Sequence, residues 1–292
     1  MKIKDILKEK TPHISFEVFP PKTDAGFASV LSATDQIGAL KPSYMSVTYG
    51  AGGKGVANAT TIDLCSYIKN ELGTETIAHL SCLYNTKESI DRILDELDEK
   101  GVKNILALRG DVNPDFAIEK DFKYASDLTE YIVSKNRGFN VSGACYPEVH
   151  QEAANMIEDI QNLKKKVDSG ADHLISQLFF DDQVFFDFQE KARIAGINVP
   201  IEAGIMPVTN KKQIERMVSM CGASIPAKLS KVLQRFGDNH EAMRDAGISY
   251  AIDQIIELAA HGVDGVHIYT MNDPYVARRI SEGVKNILKS GK

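Results

Sequence analysis

The 292-residue sequence has no C-x-x-C pair: Cys65, Cys82, Cys145 and Cys221 stand far apart. That spacing signals neither a zinc site nor a disulfide framework, and the four thiols read as buried. No run reaches the about 18 apolar residues of a membrane span, and the opening MKIKDILKEKTPH lacks the apolar core of a secretory leader. A cytoplasmic protein is expected. There is no long basic block, and the formal net charge is −6, which argues against nucleic acid or an anionic membrane as partner and leaves small molecules. Pro/Ser-rich linkers and low-complexity tracts are missing too, so residues 1–292 read as one domain. The glycine-rich stretch SVTYGAGGKG fits neither a P-loop nor a dinucleotide G-x-G-x-x-G. Its Gly50, Gly52, Gly53 and Gly55 instead permit close backbone approach just after a strand.

What is present is a repeated alternation. Eight runs rich in β-branched and aromatic residues occur at 14–20, 44–50, 76–82, 104–110, 140–147, 173–180, 201–207 and 265–270. Helix-patterned segments lie between them. In NTKESIDRILDELDEKG, Asn85 is placed to cap, Ile90, Ile93, Leu94 and Leu97 form one apolar stripe, and Gly101 ends the helix. Strand and helix in alternation imply parallel strands joined by crossovers, and eight units fit a closed (β/α)8 TIM barrel of the α/β class. The seventh unit is longer, with helical patterns at 210–221, 226–236 and 240–260 before the last strand.

A barrel keeps its chemistry at the C-terminal ends of its strands. Unusual polar residues gather there: Glu17, Thr48, His79, Arg109, Asp111, Tyr146, His150, Gln177 and Tyr269. Glu17 alternates with Phe16 and Val18, so it points into the barrel if those two pack outward. A carboxyl desolvated there is raised in pKa, as a general acid requires, unless a barrel Arg or Lys pairs with it. Arg109 and Asp111, on either side of Gly110, either neutralise each other or meet one ligand. After YPEVHQEA, Met156, Ile157, Ile160, Leu163 and Val167 read as a core stripe, with Asp159, Asn162, Lys165 and Lys166 on another face. That polar row is either solvated surface or a seat for a diphosphate and ribose.

The segments SFEVFPPK, SVTYGAGG, AHLSC, LALRGD, YPEVH, LKKKVDSGAD, SQLFFD and HIYTMN, in this order over residues 14–272, resemble the methylenetetrahydrofolate reductase family. The resemblance implies a barrel holding FAD at its mouth, without the C-terminal regulatory domain of eukaryotic forms. It implies Glu17 as the general acid and Asp111 beside the flavin pyrimidine edge, both catalytic. It implies FAD contacts at Thr48, Tyr49, Ala51, His79, Arg109, Gly110, Asp111, Tyr124, Ala125, Ala144, Tyr146, His150, Asp159, Asn162, Lys165 and Lys166. Glu17, Asp111, Gln177 and Tyr269 are then the substrate contacts, with Gln177 on the pterin, and no metal is involved. The implied reaction reduces 5,10-methylenetetrahydrofolate to 5-methyltetrahydrofolate with NADH or NADPH, in a chain that forms homo-oligomers.

Two positions depart from the family pattern: Lys211 stands where one branch has an aromatic closing over folate and nicotinamide, and Asp273 where it has an arginine. The departures leave open an electron-relay or catalytic subunit that draws electrons from a partner subunit. A flavin barrel of the proline dehydrogenase type is the rival enzyme.

Overall fold

The alternating runs and stripes fold into a closed barrel. The structure, a computed structural model, describes residues 1–9, 12–21, 26–49, 56–115 and 117–289; Ala51 and the glycines at 50, 52, 53 and 55 lie outside these. In chain order the elements are α1 (Ile3–Glu9), β1 (His13–Val18), α2 (Phe27–Gly38), β2 (Met45–Val47), α3 (Val56–Asn70), β3 (Thr76–Ser81), α4 (Lys87–Glu99), β4 (Asn104–Leu108) and α5 (Ala125–Ser134). There follow β5 (Asn140–Cys145), α6 (Met156–Asp168), β6 (His173–Ser176), α7 (Asp182–Ile194), β7 (Ile201–Ile205), α8 (Lys211–Cys221), α9 (Ala227–Phe236), α10 (His240–His261), β8 (Gly265–Tyr269) and α11 (Pro274–Lys289). Each strand pairs in parallel with the next, and β8 closes on β1 with Tyr269 opposite Glu17.

The period of two along the strands separates two environments. Phe16, Val18, Met45, Val47, Ile105, Ala107, Val266 and Ile268 face outward into a core shared with Ile37, Leu94, Leu128 and Ile280 of the helices. Glu17 therefore points inward, as the alternation predicts. In α4 the predicted stripe Ile90, Ile93, Leu94 and Leu97 is buried. The cap is one residue later than expected: Thr86 accepts from the Ser89 N–H. Asn85 instead donates to Ser81 O at 2.8 Å and to the Tyr49 hydroxyl at 3.0 Å. Ile157 also leaves its predicted place. It is 71% exposed, because a helix turns 100° per residue and Met156, Ile160, Leu163 and Val167 already complete the buried stripe.

The two ends of the barrel are closed differently. At the N-terminal end α1 acts as a plug, with Ile3 and Leu7 packed on Tyr44, Ile77, Leu106 and Ile175. At the C-terminal end α8 and α9 seat Ile214, Leu229 and Leu233 against Leu178, Phe180, Met206 and Val208 beside the mouth. Cys65, Cys82 and Cys145 are buried as expected, whereas Cys221, at the end of α8, is only partly covered.

Candidate active site

A cavity of about 450 Å³ opens on the barrel axis at the C-terminal end, lined by Glu17, Thr48, His79, Gly110, Asp111, Gln177, Tyr269 and Met217 among others. Glu17 is its buried acid, 9% exposed. No Lys or Arg pairs with it among the described residues; His79 Nε2, at 3.7 Å from Oε2, is its only ion-pair neighbour there. Burial pushes the Glu17 carboxyl up to about 8. Burial, and then the neighbouring His267, push the His79 imidazole down to about 3, so the two face each other uncharged near neutral pH. The contact at 3.7 Å is thus neither an ion pair nor a hydrogen bond.

The strand ends around Glu17 are fixed by main-chain ties. Thr270 Oγ1 donates to Glu17 O at 2.6 Å, and Asn272 clasps Phe19 by accepting from its N–H at 2.8 Å and donating to its carbonyl at 3.0 Å. The Tyr269 hydroxyl donates to Ser176 O at 2.6 Å. Gly204 leaves room for that bond, since a Cβ there would stand 2.1 Å from Ser176 O and 2.6 Å from the hydroxyl. Gly110 takes φ +89, and so turns the chain sharply between Arg109 and Asp111.

A second cavity of about 430 Å³ adjoins the first on its side, between the ends of β4 and β5 and the helices α5 and α6. Arg109, Ala144, Tyr146 and His150 line both. The side cavity adds Tyr124, Ala125, Asp159, Asn162, Lys165 and Lys166. Lys166 runs in over Gly143, where a Cβ would meet its Cδ at 2.6 Å, and its ammonium donates to Ala144 O. Burial lowers its pKa. Asp159, raised by burial, accepts from the His150 N–H at 2.9 Å. The row read from the sequence as surface or ligand seat is therefore a cavity wall.

Arg109 does not pair with Asp111. Its Nη2 donates to Glu152 Oε1 at 2.6 Å and its Nη1 to the other oxygen, a two-pronged pair that raises the guanidinium pKa and lowers that of the carboxyl. Asp111 is left at the mouth of the axial cavity, exposed. Glu152 was not singled out by the sequence, because its role depends on a partner 43 positions away.

One layer below Glu17 the barrel interior is polar rather than aliphatic. His267 Nδ1 lies 2.7 Å from Ser15 Oγ and its Nε2 3.0 Å from Ser46 Oγ. Ser15 donates to Glu202 Oε1 at 3.2 Å, while the other Glu202 oxygen accepts from the Tyr44 hydroxyl at 2.5 Å and stands 2.8 Å from His173 Nε2. All six residues are 0% exposed. Burial acts to raise the Glu202 pKa, but the hydrogen bond with His173, the two nearby imidazoles and Tyr44 lower it on balance. The sequence held a signal for this layer: a glutamate inside the apolar run IEAGIMP, as in SFEVFP.

The remaining predicted positions fall as follows. Tyr49 lines neither cavity; it packs on the core between sheet and helices, and its hydroxyl accepts from Asn85. Tyr124 borders the side cavity from the start of α5 and is half exposed. Lys211 opens α8 with its stem against Gly237, where a Cβ would lie 2.5 Å from Lys211 Cδ, and it lines neither cavity. Asp273 caps α11, accepting from the N–H groups of Tyr275 at 2.9 Å and Val276 at 3.2 Å ahead of a helix that starts with Pro274. A larger open hollow of about 700 Å³ at the opposite end, lined by Asp35, Lys41, Glu71 and Glu75, lies away from the strand ends where barrels keep their chemistry.

Comparison with known proteins adds a family to this geometry. Methylenetetrahydrofolate reductase (NADH) 1 of Arabidopsis thaliana is 36% identical over 285 residues, covering 93% of this chain and 48% of its own. The chain thus spans about half the length of the plant relatives it matches. The 5,10-methylenetetrahydrofolate reductase of Escherichia coli (strain K12) is 36% identical over 260 residues, 89% of this chain and 86% of its own. Among solved structures, an uncharacterized protein from Clostridium thermocellum, described as binding two copies of 5-methyl-5,6,7,8-tetrahydrofolic acid, superposes with a TM-score of 0.69 at 15% identity over 98% of this chain and 99% of its own. An oxaloacetate acetylhydrolase superposes with a TM-score of 0.54 at 12% identity over 99% and 86%. These two likenesses carry the fold alone. The family model for methylenetetrahydrofolate reductase matches residues 2–285, and the chain belongs to that family.

Proposed function

We propose that the protein reduces 5,10-methylenetetrahydrofolate to 5-methyltetrahydrofolate with electrons from a reduced nicotinamide, using FAD. The observation that carries this reading is Glu17: a buried carboxyl raised to about 8, unpaired with any Lys or Arg among the described residues, in a cavity that adjoins a side chamber.

The residues present fit the flavin. Two adjoining cavities that share Arg109, Ala144, Tyr146 and His150 suit a dinucleotide with a flat ring at one end. The side chamber offers Arg109, Lys165, Lys166 and His150 to a diphosphate and Asp159 and Asn162 to hydroxyl groups. In the axial cavity, His79 Nε2 is buried and lacks a hydrogen-bond partner, as expected of a group that meets a ligand. FAD, when bound, supplies hydride acceptance from the nicotinamide and hydride donation to the folate.

The chain's own part is placement and proton supply. With the folate in the axial cavity, Glu17 holds its proton near neutral pH and delivers it to the bridging amine, so that the five-membered ring opens to a cationic iminium. Asp111, an anion at the same mouth, favours that cation. Gln177 and Tyr269 border the space left for the pterin. Both substrates use the one cavity in turn.

Glu17→Gln is the direct test. It should slow folate reduction about a thousandfold while NADH oxidation by an artificial acceptor continues. Equal loss of both half-reactions would refute the assignment.

A further inference from the structure

The segment 146–155, between β5 and α6, contributes to both cavities and carries a strained residue. Val149 takes φ +73, a left-handed conformation that β-branched residues rarely adopt. Neighbouring contacts impose it. The Tyr146 and His150 rings meet edge to face at 4.6 Å, the His150 N–H is taken by Asp159, and Glu152 grips Arg109.

Glu148, beside Val149, lines neither cavity. Both its carboxylate oxygens accept from the Ser224 N–H, each at 3.0 Å, in the turn between α8 and α9. Two residues earlier, Gly222 ends α8 at φ +76, and Gln151 lies against it, with Cγ and Nε2 3.2 Å from the position a Cβ would take. Apolar contacts also seat the two helices, Ile214, Leu229 and Leu233 on Leu178, Phe180, Met206 and Val208, and Lys228 of α9 pairs with Asp253 of α10. Apolar contact is not directional, whereas a charge-assisted hydrogen bond fixes register. The helix so tied supplies Met217 to the axial cavity wall.

We infer that Glu148 is a positioning residue for the axial cavity: by holding the Ser224 N–H it fixes α8, and with it Met217, against whichever substrate occupies the cavity. The inference rests on the function proposed above. The strained backbone at Val149 follows from it, because this conformation directs Glu148 toward the α8–α9 turn while His150 and Glu152 remain on the side chamber.

The test uses the flavin-loaded protein and Glu148→Ala. Losing one charge-assisted hydrogen bond of about 1.4 kcal/mol should raise KM for both methylenetetrahydrofolate and the nicotinamide about tenfold, with kcat within about twofold. Flavin affinity and the flavin absorption spectrum should be unchanged, and the Ser224 amide should exchange with solvent about tenfold faster. Unchanged KM values would overturn the positioning role, whatever the exchange rate. Raised KM with unchanged Ser224 exchange, or a loss of bound flavin, would overturn the tether. If the unmodified protein turns over no folate, the functional reading fails, while Ser224 exchange in the variant still decides whether the tether exists.

Discussion

Glu17 and Glu202 are two carboxyls inside one barrel, both removed from water and in opposite protonation states. Glu17, near the mouth, has a neutral His79 at 3.7 Å and no cation among the described residues; its pKa rises to about 8. Glu202, one layer deeper and fully buried, is surrounded by Tyr44, Ser15 and His173, and its pKa falls below the usual value. Burial alone raises both, so the partners decide the difference. The upper carboxyl is left short of partners and keeps a proton to give. The lower one accepts from Tyr44 and Ser15 and meets His173, so it ties β1, the residue ahead of β2 and β6 to β7 beneath the axial cavity.

The largest expected effects remove one member of the comparison. Glu17→Gln should lower the rate of folate reduction by about 10³-fold, at the middle of the range for loss of a general acid, measured in single turnovers of the pre-reduced enzyme. Glu202→Ala should cost about 3–5 kcal/mol of folding stability in urea titration, because it leaves the buried Tyr44 hydroxyl and His173 Nε2 without their partner. A loss below about 1 kcal/mol would mean the network is not structural. A smaller effect sharpens the contrast through pH. Since Glu17 has a folded pKa above its unfolded value, the native state binds the extra proton, and stability falls as pH rises from about 4.5 to about 8. Glu202, with a depressed pKa, contributes stability that is present above about 4.5 and lost as pH falls below it. Comparing urea midpoints across pH in the Glu17→Gln variant should show the first slope reduced and the second retained. Smallest is Asp111→Ala, expected to slow folate turnover about tenfold with FAD retained; unchanged steady-state kinetics would remove Asp111 from the mechanism.

The fold was legible because each unit repeats its pattern. The runs from ISFEVFP to GVHIYT each hold a barrel strand, and the three helical patterns after 210 became α8, α9 and α10 within a residue or two. Glu17 could be placed inward from Phe16 and Val18 alone, since alternation is a local property. What escaped the reading depends on distant partners. Arg109 has Asp111 two residues away, yet takes Glu152, because the positive φ at Gly110 sends Asp111 to the mouth while the turn after β5 brings Glu152 across. The Glu202 network draws on five strands and on Tyr44 just ahead of β2, and no stretch of sequence displays that assembly. Family resemblance marks positions that meet ligands, so it passes over residues such as Glu148 and Ser15 that hold only other parts of the protein. Asp273 illustrates the reverse case: a departure from the family pattern that this chain uses as a helix cap.

The most direct test of the central claim, that Glu17 is a neutral acid at neutral pH, is the pH dependence of methylenetetrahydrofolate reduction by the pre-reduced enzyme in single turnovers. The rate should stay level through about pH 7 and fall at higher pH with an apparent pKa near 8, and that alkaline limb should vanish in Glu17→Gln together with most of the rate. A profile that stays flat to about pH 9, or a Glu17→Gln variant that keeps both rate and limb, would contradict it.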